Sequence, residues 1–255
     1  AGNTIEDIAQ LAAYAHKYGA KVYMLVNTIL YDHELQEAKQ SIIDAYNAGC
    51  DAIIIQDLGL LMMDLPPIEL HASTQTNIRT VEQAKFLESL GFGRLILARE
   101  LSIEQIKEIR ESTIAALESF IHGALCVSYS GQCYLSQKIT GRSANRGCCA
   151  QACRSDYSLI DATGELVKDS NGKPLVKNQP ILSLKDLNLS NKISQVIKSG
   201  ITSFKIEGRL KNESYIRNIV LHYRRLIDKF ILENNGYRRA SLGVCTGGFT
   251  TNPYL

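Results

Sequence analysis

The feature that most constrains the fold is a unit that recurs along the chain: an amphipathic helix, a glycine, then a short apolar strand. In four copies the helical pattern ends at Gly19, Gly49, Gly91 and Gly200, and the strands KVYMLVN, DAIIIQD, RLILAR and SFKIEG follow. Glycine suits the left-handed residue that closes a helix. Near-continuous apolar runs are typical of parallel strands that are buried on both faces. We therefore predict an α/β fold with a parallel sheet.

Two further runs, IELHAST and ALESFIHG, bring the count to six strands, near residues 21–27, 52–57, 68–73, 94–99, 117–123 and 202–207. Strands that alternate with helices form either a doubly wound sheet or a (β/α)8 TIM-type barrel. Polar residues at the strand ends favour the barrel, and no GxGxxG or GxxxxGK[ST] loop supports a nucleotide-binding sheet. Because six strands do not close a barrel, we expect an incomplete one that lacks about two N-terminal strands.

The organisation predicted along the chain has four parts. Residues 1–124 form the barrel part, and residues 125–192 hold a Cys-rich segment followed by a β-hairpin insertion. Residues 193–235 supply the closing strand and a long helix, and residues 236–255 are a truncated tail. The hairpin prediction rests on DATGELVKDSNGKPLVKNQP, in which a polar Asp-Ser-Asn-Gly sequence is typical of a turn.

The composition and the apolar runs indicate the size of the core and the cellular compartment of the protein. An apolar fraction of 45% is enough for a sizeable core, and a net charge of +2 indicates no particular partner. The apolar runs are too short to cross a membrane, and no secretory signal is recognisable, so we expect a cytoplasmic protein. In a reducing compartment, clustered cysteines are more often metal sites or catalytic thiols than disulfides.

Residues 122–154, HGALCVSYSGQCYLSQKITGRSANRGCCAQACR, hold five of the seven cysteines. The spacing is Cys126-x6-Cys133-x15-Cys149-x3-Cys153, with Cys148 as an adjacent fifth thiol. Structural zinc usually takes closely spaced pairs, and the first of these two pairs is wide for it. Iron–sulfur clusters accept irregular spacings, because the ligands need only converge in space. The spacing therefore predicts a metal site, with zinc less favoured than a cluster.

The same block contains four Lys or Arg residues and no Asp or Glu. A cluster held by thiolates is a net anion, which nearby cations stabilise. A carboxylate-free block also suits an anionic substrate, such as RNA phosphate or a dicarboxylic acid. The two interpretations are compatible.

Other cysteine chemistries have weaker support. A radical-SAM CxxxCxxC motif would need a cysteine where Asp156 stands, and CxxC, HExxH and GxSxG motifs are absent. A Cys126–His122 nucleophile pair lacks any mark of an orienting third residue or an oxyanion hole. Cys50 and Cys245 stand alone and are predicted to be buried as small apolar residues.

The segment ESFIHGALCVSYSGQCYLS (118–136) resembles the signature of the collagenase-like peptidase family U-32. HASTQTN (71–77), LARELS (97–102), TGRSANRGCCAQACR (140–154) and KIEGR (205–209) are similar to other recurrent segments of that family. Although the family is named for a peptidase, the resemblance implies an oxygen-independent hydroxylation factor for tRNA, rRNA or the ubiquinone ring. It implies a 4Fe-4S cluster, prone to loss or replacement by zinc in air, and prephenate as a small anionic co-substrate in RNA-directed members. The alternatives are a peptidase, as the family name says, and a non-catalytic RNA-binding or assembly factor.

The resemblance and side-chain chemistry together assign roles to single residues. The expected cluster ligands are Cys126, Cys133, Cys149 and Cys153. The expected catalytic residues are His122, His71 and Glu207. The expected substrate-binding residues are Gln75, Arg142, Asn145, Arg146, Lys205 and Arg209. Cys148 stands where the family commonly has another residue.

Overall fold

The computed structural model describes residues 3–209 and 211–241. All six predicted strands are present, and a short seventh strand lies between the last two. The strands are β1 Tyr23–Val26, β2 Ala52–Ile55, β3 Glu69–Ala72, β4 Arg94–Ile96, β5 Ala116–Gly123, β6 Leu187–Asn188 and β7 Ser203–Ile206. Strands β1 to β5 pair in parallel in chain order, and β7 pairs in parallel with the other edge of β5. The α/β prediction is confirmed, and the sheet corresponds to part of a TIM-type barrel.

Helices separate the strands as the repeating unit predicts. They are α1 Ile5–His16, α2 Leu35–Asn47, α3 Val81–Ser89, α4 Ile103–Ser112, α5 Leu135–Thr140, α6 Ile193–Lys198 and α7 Glu213–Glu233. Helix α1 begins with a capping box in which Thr4 and Asp7 each accept the other's backbone N–H, at 3.2 and 2.9 Å. Within the described residues, no helix is both long and apolar enough to span a bilayer.

The two faces of the sheet differ because side chains alternate along a strand. On the outer face, Ile53, Ile55 and Leu117 join a large apolar core with residues of the surrounding helices. On the inner face, a small apolar group of Ile54, Ile96 and Phe120 lies beside charged side chains. Such an inner face is where a barrel carries its polar chemistry, towards the carboxyl ends of the strands.

The predicted hairpin insertion contains two turns rather than one. Asp161 and Asp169 each accept backbone N–H groups two and four residues ahead of them, at 2.8 to 3.1 Å. Antiparallel contacts join Tyr157 to Gln179 and Ile160 to Leu166. The insertion is therefore a meander built from Asx turns. The tail 242–255, including Cys245, lies outside the described residues.

Candidate functional site

The Cys-rich segment docks on the loops that follow β3 and β4. The backbone N–H of Ser130 donates to Glu100 Oε1 at 2.8 Å. Gly131 has φ +73° and lies so close to Gln75 that an added Cβ would overlap the carbonyl oxygen of Gln75. Three stretches that are similar to family segments, around residues 75, 100 and 130, are thus in contact. The close approach explains why a glycine precedes Gln132 and Cys133.

Four thiols share one electrostatic neighbourhood. Burial raises the pKa of the Cys153 thiol, and the thiolates of Cys126, Cys149 and Cys133 raise it further, whereas Arg154 lowers it. Cys126 and Cys149 are exposed, and Cys133 and Cys153 are half-buried. These are the four expected cluster ligands. Their assignment to a cluster stays a prediction.

Side chains hold the loops around these thiols. Arg154 donates to the carbonyl oxygens of Leu125 at 2.7 Å and Leu184 at 2.8 Å, and to Ser183 Oγ at 2.6 Å. Buried Ser136 donates to the carbonyl oxygen of Arg142 at 2.7 Å, and its Oγ accepts the N–H of Ala150 at 2.9 Å. Hydrogen bonds therefore fix the residues next to Cys126, Cys149 and Cys153.

Four thiolates are a donor set that suits an iron–sulfur cluster. As placed in this structure, no three His, Cys, Asp or Glu side chains within residues 3–209 and 211–241 form a group that could hold a metal ion. The backbone N–H of Gln151 donates to Cys149 Sγ at 3.3 Å, a contact that stabilises a thiolate ligand.

Cys148 lies in a different neighbourhood from the other four thiols. It lines a cavity of about 510 Å³ together with Tyr31, Tyr134, Arg142 and Asn145. Two of the predicted substrate-binding residues are thus brought together here. Asn145 is buried, and its carbonyl oxygen accepts the N–H of Ile29 at 3.1 Å. This placement agrees with a fifth thiol that is not a ligand.

Arg146 also lines this cavity, but its guanidinium group is occupied. It binds both oxygens of the Glu34 carboxylate, at 2.9 and 2.6 Å, and stacks over Tyr31 at 4.0 Å. The hydrogen bonds from Arg146 lower the pKa of Glu34 to about 2. Residues 122–154, which include no Asp or Glu, are therefore paired with a carboxylate from the loop after β1. As placed here, Arg146 anchors the segment, and its substrate-binding role stays a prediction.

The predicted catalytic His122 lies in the core. It is 2% exposed, and its Nδ1 is 3.2 Å from the hydroxyl of Tyr223 on α7. Burial lowers the pKa of His122, which favours the neutral ring. Within the described part of the chain, no hydrogen bond joins His122 to a cysteine. Its contacts are those of a structural histidine, and the catalytic role stays a prediction.

His71 is equally buried, on the inner face of the sheet. Its Nε2 is 2.9 Å from Glu69 Oε1, and its ring packs edge-on against Tyr23 at 4.7 Å. Burial lowers the pKa of His71, opposed by Glu69. Nδ1 is buried without a hydrogen-bond partner. Since Glu69 and Tyr23 begin their strands, the contacts of His71 lie towards the amino-terminal side rather than at the cysteines.

The remaining predicted residues lie along β7 and the loop after β3. Lys205 Nζ is 3.8 Å from Glu118 on β5, and Glu207 Oε1 accepts the backbone N–H of Arg209 at 2.9 Å. The side chain of Arg209 is exposed. The backbone carbonyl oxygen of Gln75 accepts a hydrogen bond from Nε2 of Gln56 at 3.3 Å.

Sequence reasoning missed three residues that position the site: Glu34, Glu100 and Ser136. Glu100 belongs to LARELS, so its family-like segment carried a signal for it. No pattern in the sequence marked Glu34 or Ser136, because both act through contacts that form only when the chain folds. Arg99 and Glu100 both follow the fourth predicted strand as polar strand-end residues, and the sequence assigns neither of them a role.

The comparison with known proteins extends over nearly the whole chain. The chain is 51% identical over 243 residues to the 23S rRNA 5-hydroxycytidine C2501 synthase of Escherichia coli, covering 95% of this chain and 36% of the relative. It is 37% identical to the tRNA hydroxylation protein P1 of Bacillus subtilis, covering 92% and 56%. It is 34% identical to a collagenase of Porphyromonas gingivalis, covering 94% and 59%.

The chain thus spans between about a third and three fifths of the length of these relatives. The model of peptidase family U32 matches residues 1–243. That match includes the whole sheet, the Cys-rich segment and helix α7. The chain therefore belongs to peptidase family U32, as its cysteine segment predicted.

Proposed function

We propose that this chain carries the iron–sulfur site of a cytoplasmic enzyme that hydroxylates a base of rRNA or tRNA without molecular oxygen. The observation that carries the proposal is the 51% identity to a relative named as a synthase of 5-hydroxycytidine in 23S rRNA. The four cysteines of the Cys-rich segment, of which Cys126, Cys133 and Cys149 act electrostatically on Cys153, support the cluster.

The chemistry requires a second substrate. Hydroxylation replaces a C–H bond of the base by C–OH, which removes two electrons from the base and adds one oxygen atom. Without molecular oxygen, the oxygen atom has to come from a co-substrate or from water, and a two-electron acceptor has to take up the electrons removed from the base. On the basis of the family resemblance, prephenate is the proposed co-substrate, and the electron acceptor is a second reactant or a redox centre. When bound, the cluster would pass electrons or polarise the oxygen donor.

The protein's own residues hold and shield the site. Cys126, Cys133, Cys149 and Cys153 would bind the irons. Arg154 fixes the loop before Cys126 and places a positive charge beside the thiolates. This charge favours the thiolate forms that metal binding requires.

The RNA-facing surface is proposed to lie on α5 and the loop after it. Tyr134 is 62% exposed, and Lys138 and Arg142 are exposed on the same segment. An exposed aromatic ring beside cations suits stacking with an unpaired base and contact with its phosphates.

Iron and sulfide analysis of anaerobically purified protein tests the cluster. We expect a brown protein with about four irons. Serine in place of Cys126, Cys133, Cys149 or Cys153 should remove the iron, and should abolish hydroxylation of tRNA and rRNA nucleosides measured by mass spectrometry in cells. Cys148→Ser is the matched control and should retain both. Colourless protein with one zinc ion, or hydroxylation that survives the four changes, contradicts the proposal.

A peptidase is the second candidate, because one relative is named a collagenase. The geometry gives it little support, since His122 pairs with Tyr223 instead of a cysteine. Cleavage of gelatin by pure protein, lost on Cys126→Ser, would favour this candidate. RNA binding without hydroxylation of the bound RNA would favour the non-catalytic alternative.

A further inference from the structure

Two cations approach the same buried aromatic ring next to the cysteine segment. The guanidinium carbon of Arg99 lies 4.3 Å from the ring centroid of Phe120, and Lys205 Nζ lies 5.2 Å from it. Phe120 is 4% exposed and belongs to the inner face of the sheet. Two like charges at one ring repel each other, and low solvent exposure strengthens that repulsion. The pair therefore favours an anion nearby.

The carboxylates of this region are committed to other groups. Glu118 accepts Ser203 Oγ at 2.7 Å and lies 3.8 Å from both Arg94 and Lys205. It is therefore a single negative charge between two cations. Burial lowers the pKa of Lys205, Glu118 and Glu207 raise it, and the positive charge of Arg99 lowers it. Arg99 and Lys205 are therefore close enough for their charges to act on each other.

The two other carboxylates nearby each accept a hydrogen bond from a backbone N–H. Glu100 accepts the N–H of Ser130, and Glu207 accepts the N–H of Arg209. None of the ion pairs within residues 3–209 and 211–241 includes Arg99. The Nε of Arg99 is buried without a hydrogen-bond partner. An unpaired buried donor on a charged group is costly, and an anionic ligand would satisfy it.

Arg99 opens onto a cavity of suitable size and lining. The cavity measures about 480 Å³, and it is lined by Arg99, Glu100, Leu125, Cys126, Tyr129 and Leu184 among others. This volume lies in the range of small-molecule sites, about 300–1,000 Å³. Its lining combines the guanidinium group of Arg99, which forms no ion pair within the described residues, with the carboxylate of Glu100, the thiol of Cys126 and apolar and aromatic side chains. A compact molecule with a carboxylate at one end and an apolar body matches that lining.

We propose that Arg99 is the anchor for the carboxylate of a small carboxylic acid, which occupies this cavity beside Cys126. Lys205, which also approaches the Phe120 ring, adds to the positive field, and Tyr129 and Leu184 contact the apolar body. The identification of this acid as the co-substrate rests on the proposed function, whereas the prediction that a carboxylic acid binds here does not. The assignment places the anion at the carboxyl end of β4 rather than at Arg146, whose guanidinium is taken by Glu34.

Ligand-observed NMR titration of the anaerobically purified protein tests the site. The probes are cyclohexanecarboxylate and, as a neutral isostere, cyclohexanecarboxamide. We expect the carboxylate to bind and the amide to bind at least about tenfold more weakly, or about 1.4 kcal/mol. Arg99→Gln should weaken carboxylate binding by a similar factor, and Arg99→Lys should restore part of it. Lys107→Gln, on the exposed face of α4, removes the same charge and should change nothing.

Three results would overturn the inference. The first is equal binding of the acid and the amide by the unmodified protein. The second is unchanged affinity in Arg99→Gln that has the normal melting temperature. The third is displacement of the acid by inorganic phosphate or oligouridylate at comparable concentrations, which would assign Arg99 to an RNA phosphate. Iron is measured on the same samples, so that a missing cluster counts against the proposed function while the carboxylate titration still decides the role of Arg99.

Discussion

The helix–strand scaffold and the Cys-rich segment are stabilised by different means. The scaffold buries complete apolar side chains, such as Ile53, Ile55 and Leu97, at 0% exposure. Residues 124–154 contain only one helix of six residues, and two of the four predicted ligands are exposed. Hydrogen bonds from Arg146 and Arg154 hold this segment to its neighbours. The contrast teaches that the scaffold folds by burial, whereas the segment depends on a few polar anchors and on its proposed cofactor.

Removal of the proposed cluster should give the largest effect, and it should destabilise the Cys-rich segment more than the scaffold. Treatment of the iron-loaded protein with a chelator should raise the rate of proteolysis within 122–154 by at least about tenfold, because metal binding energy is also folding energy for its loops. Far-UV circular dichroism should change little, since the helices α1 to α4 belong to the scaffold. Cleavage sites mapped by mass spectrometry check the prediction. First cuts within 1–120 would contradict it.

Core truncation should act on the scaffold alone. Ile55→Ala removes a fully buried side chain on β2, and we expect a loss of about 2–5 kcal/mol in the free energy of unfolding. Ile114→Ala is the matched control, because Ile114 is 93% exposed and should cost less than about 0.5 kcal/mol. Urea denaturation measures both. Equal effects of the two substitutions would mean that burial does not stabilise this face as described.

Gly131→Ala should disturb the docking of the Cys-rich segment. The added methyl group combines a left-handed φ of +73° with overlap of the Gln75 carbonyl, and we expect a cost of about 1–3 kcal/mol. Gly164→Ala has φ +88° but meets no atom within 4 Å, so it isolates the conformational part of the cost. Melting temperature and iron content of the two variants check this. A larger loss in Gly164→Ala would refute the close contact.

The ion pair of Arg146 and Glu34 should give the smallest effect, and one that depends on pH. The hydrogen bonds from Arg146 lower the pKa of Glu34 from its ordinary value of 4.5 to about 2. A depressed carboxyl pKa adds stability above the unfolded value, and that stability is lost as pH falls from 4.5 towards 2. Glu34→Gln should therefore melt at a lower temperature than the unmodified protein at pH 7, and the gap should close towards pH 2. Melting curves across this range check it, and a gap that widens in acid would be the wrong sign.

Much of the scaffold was predictable because its signals are local. The capping box of Thr4 and Asp7 and the glycines at 19, 49, 91 and 200 mark helix ends through backbone chemistry that involves few neighbours. The apolar runs place all six parallel strands, although burial on both faces holds for β2 and most of β5, whereas β1 and β7 are only partly buried. The short strand Leu187–Asn188 was not predicted, because two residues carry no periodicity and the strand depends on pairing with β5.

The site was predictable only in part. The spacing and composition of residues 122–154 singled out Cys126, Cys133, Cys149 and Cys153, and the first three of these act electrostatically on Cys153 in the folded chain. The histidines were judged by their positions after strands, and both are buried against other side chains, Tyr223 and Glu69. Which way a strand-end side chain turns depends on local register, and β5 carries an irregularity between Phe120 and His122.

The sequence by itself determined the elements, the family and the candidate ligands, because periodicity, capping and cysteine spacing are properties of neighbouring residues. Only the tertiary structure decided which charges meet. It placed Glu34 on Arg146, left Nε of Arg99 without a hydrogen-bond partner, and put Cys148 in the lining of a cavity with Arg142 and Asn145. The physical reason is that electrostatic pairing acts across space between loops of different strands, so no local pattern in the chain encodes it.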